Sequence, residues 1–459
     1  MKIARTGKVV ALVLMVPAVL AGMAYLKGEQ IVLGAEGYVF GYPLVIMDVT
    51  RVNSIQLIGP ENQLKRVQQF PDASFKDVVR PNADTLYTTA FINMNQGPWV
   101  FEMPPNVKRY ELMPFMDAWT NVFAAPGTRT RAEAEGKTGA RFLLAGPKWT
   151  GELPVGLTLL RSPTAMTWLV GRTQTNGVQD YPLVKQLQNG LRLTKLSNWQ
   201  AGRAPTDKHW AAATVKPEPP AQQMQAMDVE TFYTRLASLM VDNPPAQADG
   251  PMMAKLQRIG VEPGMPLRWS LTDRWAIAFG RWVADFTIAK ELKKPRELVR
   301  GWATPPSVLG QYGTFYNIRA VVAMVGLGAN LPQDATYPNA RVDAQGKALN
   351  GSHRYRLHFK ADELPPVHAF WSVTAYGPDD YFIDNPLRRY ALGDRDPLIF
   401  NADGSLDLWI QADAPSANRH SNWLPVKPAQ AFLLNARLYW PKKSALNGSW
   451  GMPAVERID

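Results

Sequence analysis

Phe370-Trp-Ser-Val-Thr-Ala-Tyr-Gly-Pro-Asp-Asp-Tyr-Phe-Ile-Asp-Asn-Pro-Leu-Arg-Arg-Tyr390 is the stretch whose reading decides the fold. It resumes at Asn422-Trp-Leu-Pro425 and has a counterpart far upstream, Val79-Arg-Pro-Asn-Ala-Asp-Thr-Leu-Tyr87. Arg, Asp, Asn, Trp and Tyr at this density beside Pro and Gly are costly in a plain core, because buried polar groups need partners. Two readings stand: the blocks are hydrogen-bonded corners, or they line a site.

Around them the sequence is that of a globular protein, 46 % apolar and 19 % charged, and its 459 residues are enough for two or three domains with real cores. At the N-terminus Lys2, Arg5 and Lys8 precede an apolar run, Val9 to Leu26, interrupted by Pro17 and Gly22. This is the pattern of a secretory leader. Residues 1–27 are either cleaved after Ala24 or kept as a membrane anchor, and the expected location is the periplasm or cell envelope. Cysteine is absent, which excludes thiol catalysis, Cys-zinc sites and a disulfide framework. The formal charge is +11 without a dense Lys/Arg run beyond the leader. Nucleic acid is therefore not an expected partner, and the membrane is expected to be met only through the N-terminal segment.

Three regions follow. Residues 31–205 read as an N-terminal β domain, with strands at Thr85 to Met94, Arg141 to Ala145 and Ala165 to Arg172, a helix near Glu36 to Met47 and a shorter one at Asp180 to Leu191. Residues 206–345 read as a Pro/Ala-rich linker and a helical domain. There Val229, Phe232, Tyr233, Leu236 and Met240 keep a helical period, Asp228 is the expected N-cap and Asn243-Pro-Pro245 the stop. Trp275, Ala278, Phe279, Trp282 and Phe286 form a second apolar stripe, expected to be core. A third helix is expected from Thr314 to Leu327. Residues 346–459 change to a period of two. Tyr355, Leu357 and Phe359 alternate with Arg354, Arg356 and His358, and similar alternation runs through Ser405–Gln411 and Phe432–Trp440, with turns such as Ala402-Asp-Gly404. The expected fold class is mainly β with a helical insert, ending in an antiparallel β-sandwich.

Gly41-Tyr-Pro-Leu44, Arg80-Pro-Asn-Ala-Asp-Thr-Leu-Tyr87, Arg109-Tyr110, Asn121-Val-Phe123, Ser162-Pro163, Arg172-Thr173 and Arg319-Ala320 form one ordered set. Phe370-Trp-Ser372, Asn385-Pro386, Tyr390-Ala-Leu-Gly-Asp394, Asn422-Trp-Leu-Pro425, Arg437 and Tyr439 form another. On these residues the chain resembles the bacterial tandem of domain of unknown function 1254 followed by domain of unknown function 1214. The resemblance implies an immunoglobulin-like β domain, a small helical domain and a jelly-roll-like C-terminal domain in an exported protein, and it carries no catalytic residues over. Gly377-Pro-Asp-Asp-Tyr381 departs from the family pattern at its second Asp.

Candidate chemistry concentrates in the two blocks. Arg80, Asn82, Asp84 and Tyr87 either lock a corner through a charge-assisted pair or face a ligand. Asp379, Asp380 and Asp384, with Asn385, Arg388 and Arg389, suit an Asx-capped turn; a Ca²⁺ site or an acid–base pair is the alternative. Tyr376, Trp423 and Tyr439 are able to stack on sugar rings or to pack between domains. His209, His353, His358, His368 and His420 do not follow a zinc spacing, and no G-x-S-x-G elbow is present. No Rossmann fingerprint or P-loop occurs, so neither a metal nor any cofactor is called for. The leading expectation is a cleft between the N-terminal β domain and the jelly roll, taking a small-molecule or polysaccharide-like ligand. Asp84 would be its acid or base, and Arg80, Asn82, Tyr87, Tyr376, Asn385, Arg388, Asn422, Trp423, Arg437 and Tyr439 would bind. A structural or assembly module using aromatic faces for protein contact is the second expectation, and a metal-dependent hydrolase the third. The oligomeric state is left open by the sequence.

Overall fold

Helix outweighs strand, 31 % against 24 %, in the computed structural model, and the strands form four mainly antiparallel sheets. The chain is therefore mixed α/β, not mainly β. Residues 3–76, 79–106, 108–131, 133–205, 214–293 and 297–459 are described, with side chains from Leu26 onward except at 133, 134 and 293. His209 and part of the expected linker lie outside them.

The extra helix comes first from α1, Ile3–Leu57. The apolar leader and the expected helix near Glu36 merge into one 55-residue element broken at Lys27, where φ is −120° and ψ 16°. Beyond the break α1 is mostly apolar, as a helix largely enclosed by others must be. Tyr38, Phe40, Leu44, Val45 and Met47 are all buried. The stretch Leu26–Leu57 is long and apolar enough to cross a membrane, but 72 % of its most apolar window is buried inside the protein, the mark of a core helix. Around it pack α2 (Val229–Met240), α3 (Gly250–Arg258), α4 (Leu271–Lys293) and α5 (Tyr316–Val325). Asp228 caps α2 as expected, its Oδ1 accepting from the Thr231 amide at 2.8 Å.

α4 corrects the sequence reading. Its buried side is the small-residue stripe of Ala276, Ile277, Gly280, Ala284 and Ile288. The expected core stripe faces outward, with Phe279, Trp282 and Phe286 exposed by 41, 60 and 63 %. The cause is the closeness of α1. A Cβ at Gly280 would stand 2.2 Å from the Ile31 carbonyl oxygen, and one at Gly34 would stand 3.0 Å from Ile277 Cα. The two helices run parallel, tied by Lys27, at the break of α1, to Asp273 (2.8 Å) near the start of α4 and further on by the Arg281 guanidinium 5.2 Å over the Tyr38 ring.

Two β bodies complete the chain. In the first, a six-stranded sheet built on β1 (Thr85–Asn93), β2 (Phe115–Asp117) and β3 (Met166–Gln174) shares a core with a four-stranded sheet built on Trp99–Met103 and Ala140–Ala145. Ile92, Phe101, Phe115, Phe142 and Leu169 fill it. In the second, a seven-stranded sheet contains β5 (Val367–Tyr376) and β7 (Leu433–Pro441), and a four-stranded sheet contains β4 (Tyr355–Phe359) and β6 (Leu406–Gln411). Leu357, Val373, Leu408, Leu434 and Ala436 lie between them. β4 keeps the expected alternation, with Tyr355, Leu357 and Phe359 buried. β7 is buried on both faces over Leu433–Tyr439. One face enters the second core; the other, carrying Asn435, Arg437 and Tyr439 beside Ser372, Thr374 and Tyr376 of β5, is covered by the first β body.

Candidate functional site

The covering segment is the upstream block. Arg80–Asp84 crosses the outer face of β5 and β7 just before β1 begins, so the two distant blocks do meet. At the centre is Asp84, with 0 % exposure. Its Oδ2 accepts from Ser372 Oγ at 2.7 Å and Tyr439 Oη at 3.2 Å, and its Oδ1 accepts from Arg395 Nη2. Arg395 Nη1 also donates to the backbone oxygens of Asp84 (3.2 Å) and Thr175 (2.7 Å). Asn82 Oδ1 caps the amides of Asp84 (2.6 Å) and Thr85 (3.0 Å), while its Nδ2 donates to Tyr439 Oη at 3.0 Å.

Beside this pair, Tyr376 Oη donates to the Pro81 carbonyl at 2.6 Å. Arg437 donates to Thr374 Oγ1 (2.6 Å), to the Arg80 and Pro81 carbonyls (3.2 and 3.3 Å) and to Tyr376 Oη. Burial works against the Arg437 charge, while Tyr376, Tyr439 and Asp84 around it hold the guanidinium protonated. Burial likewise pushes the Tyr439 hydroxyl far up, with Asp84 adding to the shift, so it stays a neutral donor. At the rim Arg80 pairs with Asp380 (3.2 Å), and Asp380 also takes Arg341 (2.9 Å). Asp380 and Arg80 both have positive φ, 62° and 51°.

The remaining residues of the expected site lie elsewhere. Tyr87 is half-buried on β1 under the Arg172 guanidinium, 5.1 Å from its ring centre. Asn385 closes its own turn, bonded to the Ile383 and Arg389 backbones. Arg388 is exposed. Asn422 staples Ile399 to the Asp407 carbonyl, and Trp423 Nε1 donates to the Gln411 carbonyl at 2.9 Å, both inside the second β body. Asp379 pairs with Lys76 at 3.1 Å. Among the described residues no group of three His, Asp or Glu is arranged to hold a metal ion.

Chemically the junction is closed. Both carboxylate oxygens of Asp84 have partners, Arg395 offsets its charge and the side chain is fully buried; in this arrangement it links the two bodies. Sequence reasoning missed Arg395, although it directly follows the Tyr390–Asp394 block, and it missed the outward ladder of α4. In that ladder the rings of Trp275, Phe279, Trp282 and Phe286 follow one another at 5.8, 5.4 and 6.3 Å, with interplanar angles of 2°, 18° and 17°. Leu271, 83 % exposed, prolongs the apolar side towards the start of the helix.

Residues 61–195 match the family described as protein of unknown function DUF1254, and residues 334–443 match that described as protein of unknown function DUF1214. No curated protein matches the chain. Among solved structures, the VPA0106 protein of Vibrio parahaemolyticus is similar over 94 % of this chain and 100 % of its own, at 23 % identity and a TM-score of 0.71, a likeness of fold. An uncharacterised protein from Burkholderia cenocepacia aligns over 96 % of each chain at 12 % identity and a TM-score of 0.45.

Proposed function

Starting from a chain that carries a DUF1254 domain followed by a DUF1214 domain, we propose that it is an exported assembly module of the cell envelope. Its N-terminal apolar helix tethers it, and the aromatic ladder of α4 is its contact face. The β bodies, immunoglobulin-like and jelly-roll-like in this reading, act as one rigid unit locked at Asp84.

The observation that carries the proposal is the ladder itself. Aromatic rings stacked in line and more than half exposed at Trp282 and Phe286 form a continuous apolar strip on a helix whose other side is already packed. Such strips mark contact sites, and Trp and Phe are enriched at the centres of interfaces. The occupant this reading favours is a second copy. Two chains tethered in one membrane share an orientation, so a two-fold axis along the membrane normal is open to them and brings the same face against itself. The sealed state of Asp84 favours assembly over a ligand cleft between the β bodies.

Light scattering on the full chain in detergent tests this. A dimer is expected, which the paired substitution Trp282→Ser and Phe286→Ser converts to a monomer that keeps the wild-type far-UV circular dichroism. A monomer at all concentrations, or a dimer indifferent to the two substitutions, overturns the proposal.

A further inference from the structure

Arg319, on α5, is 2 % exposed, and none of the ion pairs among the described residues includes it. Its Nε and Nη2 have no hydrogen-bond partner. The guanidinium is instead caged by rings, with centres at 5.2 Å (Tyr316), 5.4 Å (Trp119) and 5.5 Å (Phe40). A buried, unpaired guanidinium is among the costliest arrangements in a protein. Cation–π contact offsets part of that cost but supplies no acceptor for the free N–H groups.

The same side chain lines a cavity of about 80 Å³ between the first β body and the helices, together with Asp117, Trp119, Asn121, Thr164 and Asp249. The two carboxylates there are held by their own loops. Asp117 Oδ1 accepts the amides of Trp119 (2.9 Å) and Asn121 (2.8 Å), and its Oδ2 accepts Asn121 Nδ2 (3.1 Å). Asp249 accepts Tyr316 Oη (2.9 Å) and the Ala246 amide (3.1 Å). Asp117 Oδ2 and both Asp249 oxygens thus keep an unused lone pair.

The cavity is thus lined by both a guanidinium and two carboxylates. An anion would meet two carboxylates, and an amine would meet the guanidinium. A hydroxyl suits both kinds of group, since it can accept from Arg319 and donate to an Asp. A space of this size has room for a few oxygen-sized groups, enough for a vicinal diol. We propose that this cavity binds the hydroxyl-bearing end of a polyol or sugar, with Arg319 and Asp249 as its donor and acceptor and Trp119 as its apolar wall. The proposal is independent of the dimer.

Saturation-transfer NMR on the full chain in detergent tests it, with ethylene glycol, glycerol and glucose as probes and acetate as the comparison. Transfer to the diols and not to acetate is expected, weakened at least tenfold by Arg319→Met and by Asp249→Asn. Met keeps the unbranched stem but is shorter, and it removes the charge that faces Asp249 and Asp117, so the unfolding midpoint of Arg319→Met is read alongside to confirm that the variant folds. If that variant fails to fold, Asp249→Asn, which keeps an acceptor for Tyr316, carries the test alone. Transfer to acetate alone makes this an anion site and overturns the proposal. No transfer to any probe in the folded wild type means that the cavity holds ordered water only, and overturns it too.

Discussion

Asp84→Asn separates a junction from an active site. The amide matches the carboxylate in shape, so the change removes charge and leaves volume intact. Its –NH₂ will point at Ser372 and Tyr439, whose hydroxyls now donate to Asp84 at 2.7 and 3.2 Å and would have to turn and accept instead. Arg395 then keeps neutral hydrogen bonds only, to the new amide oxygen and to the Asp84 and Thr175 carbonyls, and loses its paired carboxylate while its side chain is only 14 % exposed. Leaving one member of such a pair uncompensated costs about 3–5 kcal/mol. At a slope of about 2–3 kcal/mol per molar urea, the midpoint should fall by about 1–2 M. Far-UV circular dichroism and the fluorescence of the 15 Trp residues read the transition. A second substitution, Arg395→Met, should return much of the loss, giving a coupling of about 2 kcal/mol or more in the double-mutant cycle. A midpoint within about 0.2 M of wild type, or strictly additive losses, would refute the claim that this pair locks the two β bodies.

Three further outcomes follow from the geometry. Burying the exposed parts of Trp282 and Phe286 in a dimer is worth about 1–2 kcal/mol per side chain at ~25 cal/mol per Å². Their joint replacement by Ser in both copies should raise the dissociation constant about a thousandfold or more, measured by sedimentation across a dilution series. Gly280→Ala should destabilise by about 1–3 kcal/mol, because its Cβ would meet the Ile31 carbonyl at 2.2 Å; since Ala is the better helix former by about 1 kcal/mol, a gain in stability would refute the close approach. Burial raises the carboxyl of Asp117 to about 6, against about 3.9 in an unfolded chain. The folded state therefore holds a proton that the unfolded state has released, and stability from this group declines as pH rises from 4 to 6. Asp117→Asn should flatten that decline in urea midpoints taken across the window, and an unchanged slope would exclude the assignment.

Local features were legible in advance. Asp228 announces the start of α2 because its short carboxylate reaches the Thr231 amide, and Tyr355, Leu357 and Phe359 announce β4 because a strand turns alternate residues to one core. The importance of Arg80, Asn82, Asp84, Arg437 and Tyr439 was also legible, since so many polar groups near apolar strands must find partners. Their role was not. A ligand and a second β body satisfy a carboxylate equally well; in the structure the side-chain partners of Asp84 are Ser372, Tyr439 and Arg395. The stripe on α4 failed for a related reason: periodicity reveals that a helix has two faces, but not which one another helix covers. Gly280 and the alanines, which look like the weaker face, win because they let α1 approach, and close backbone packing excludes the larger rings.

By itself, then, the sequence determined what depends on neighbours along the chain: the leader-like N-terminus, the helical and period-two regions, the caps and turns, and the likeness to the DUF1254 and DUF1214 tandem. The tertiary structure decided what depends on contacts between residues hundreds of positions apart. It sealed Asp84 under Ser372, Arg395 and Tyr439, turned the aromatic ladder outward, and left Arg319 without a partner beside a cavity. Burial is set by what packs against a surface, and that partner is chosen by the whole fold.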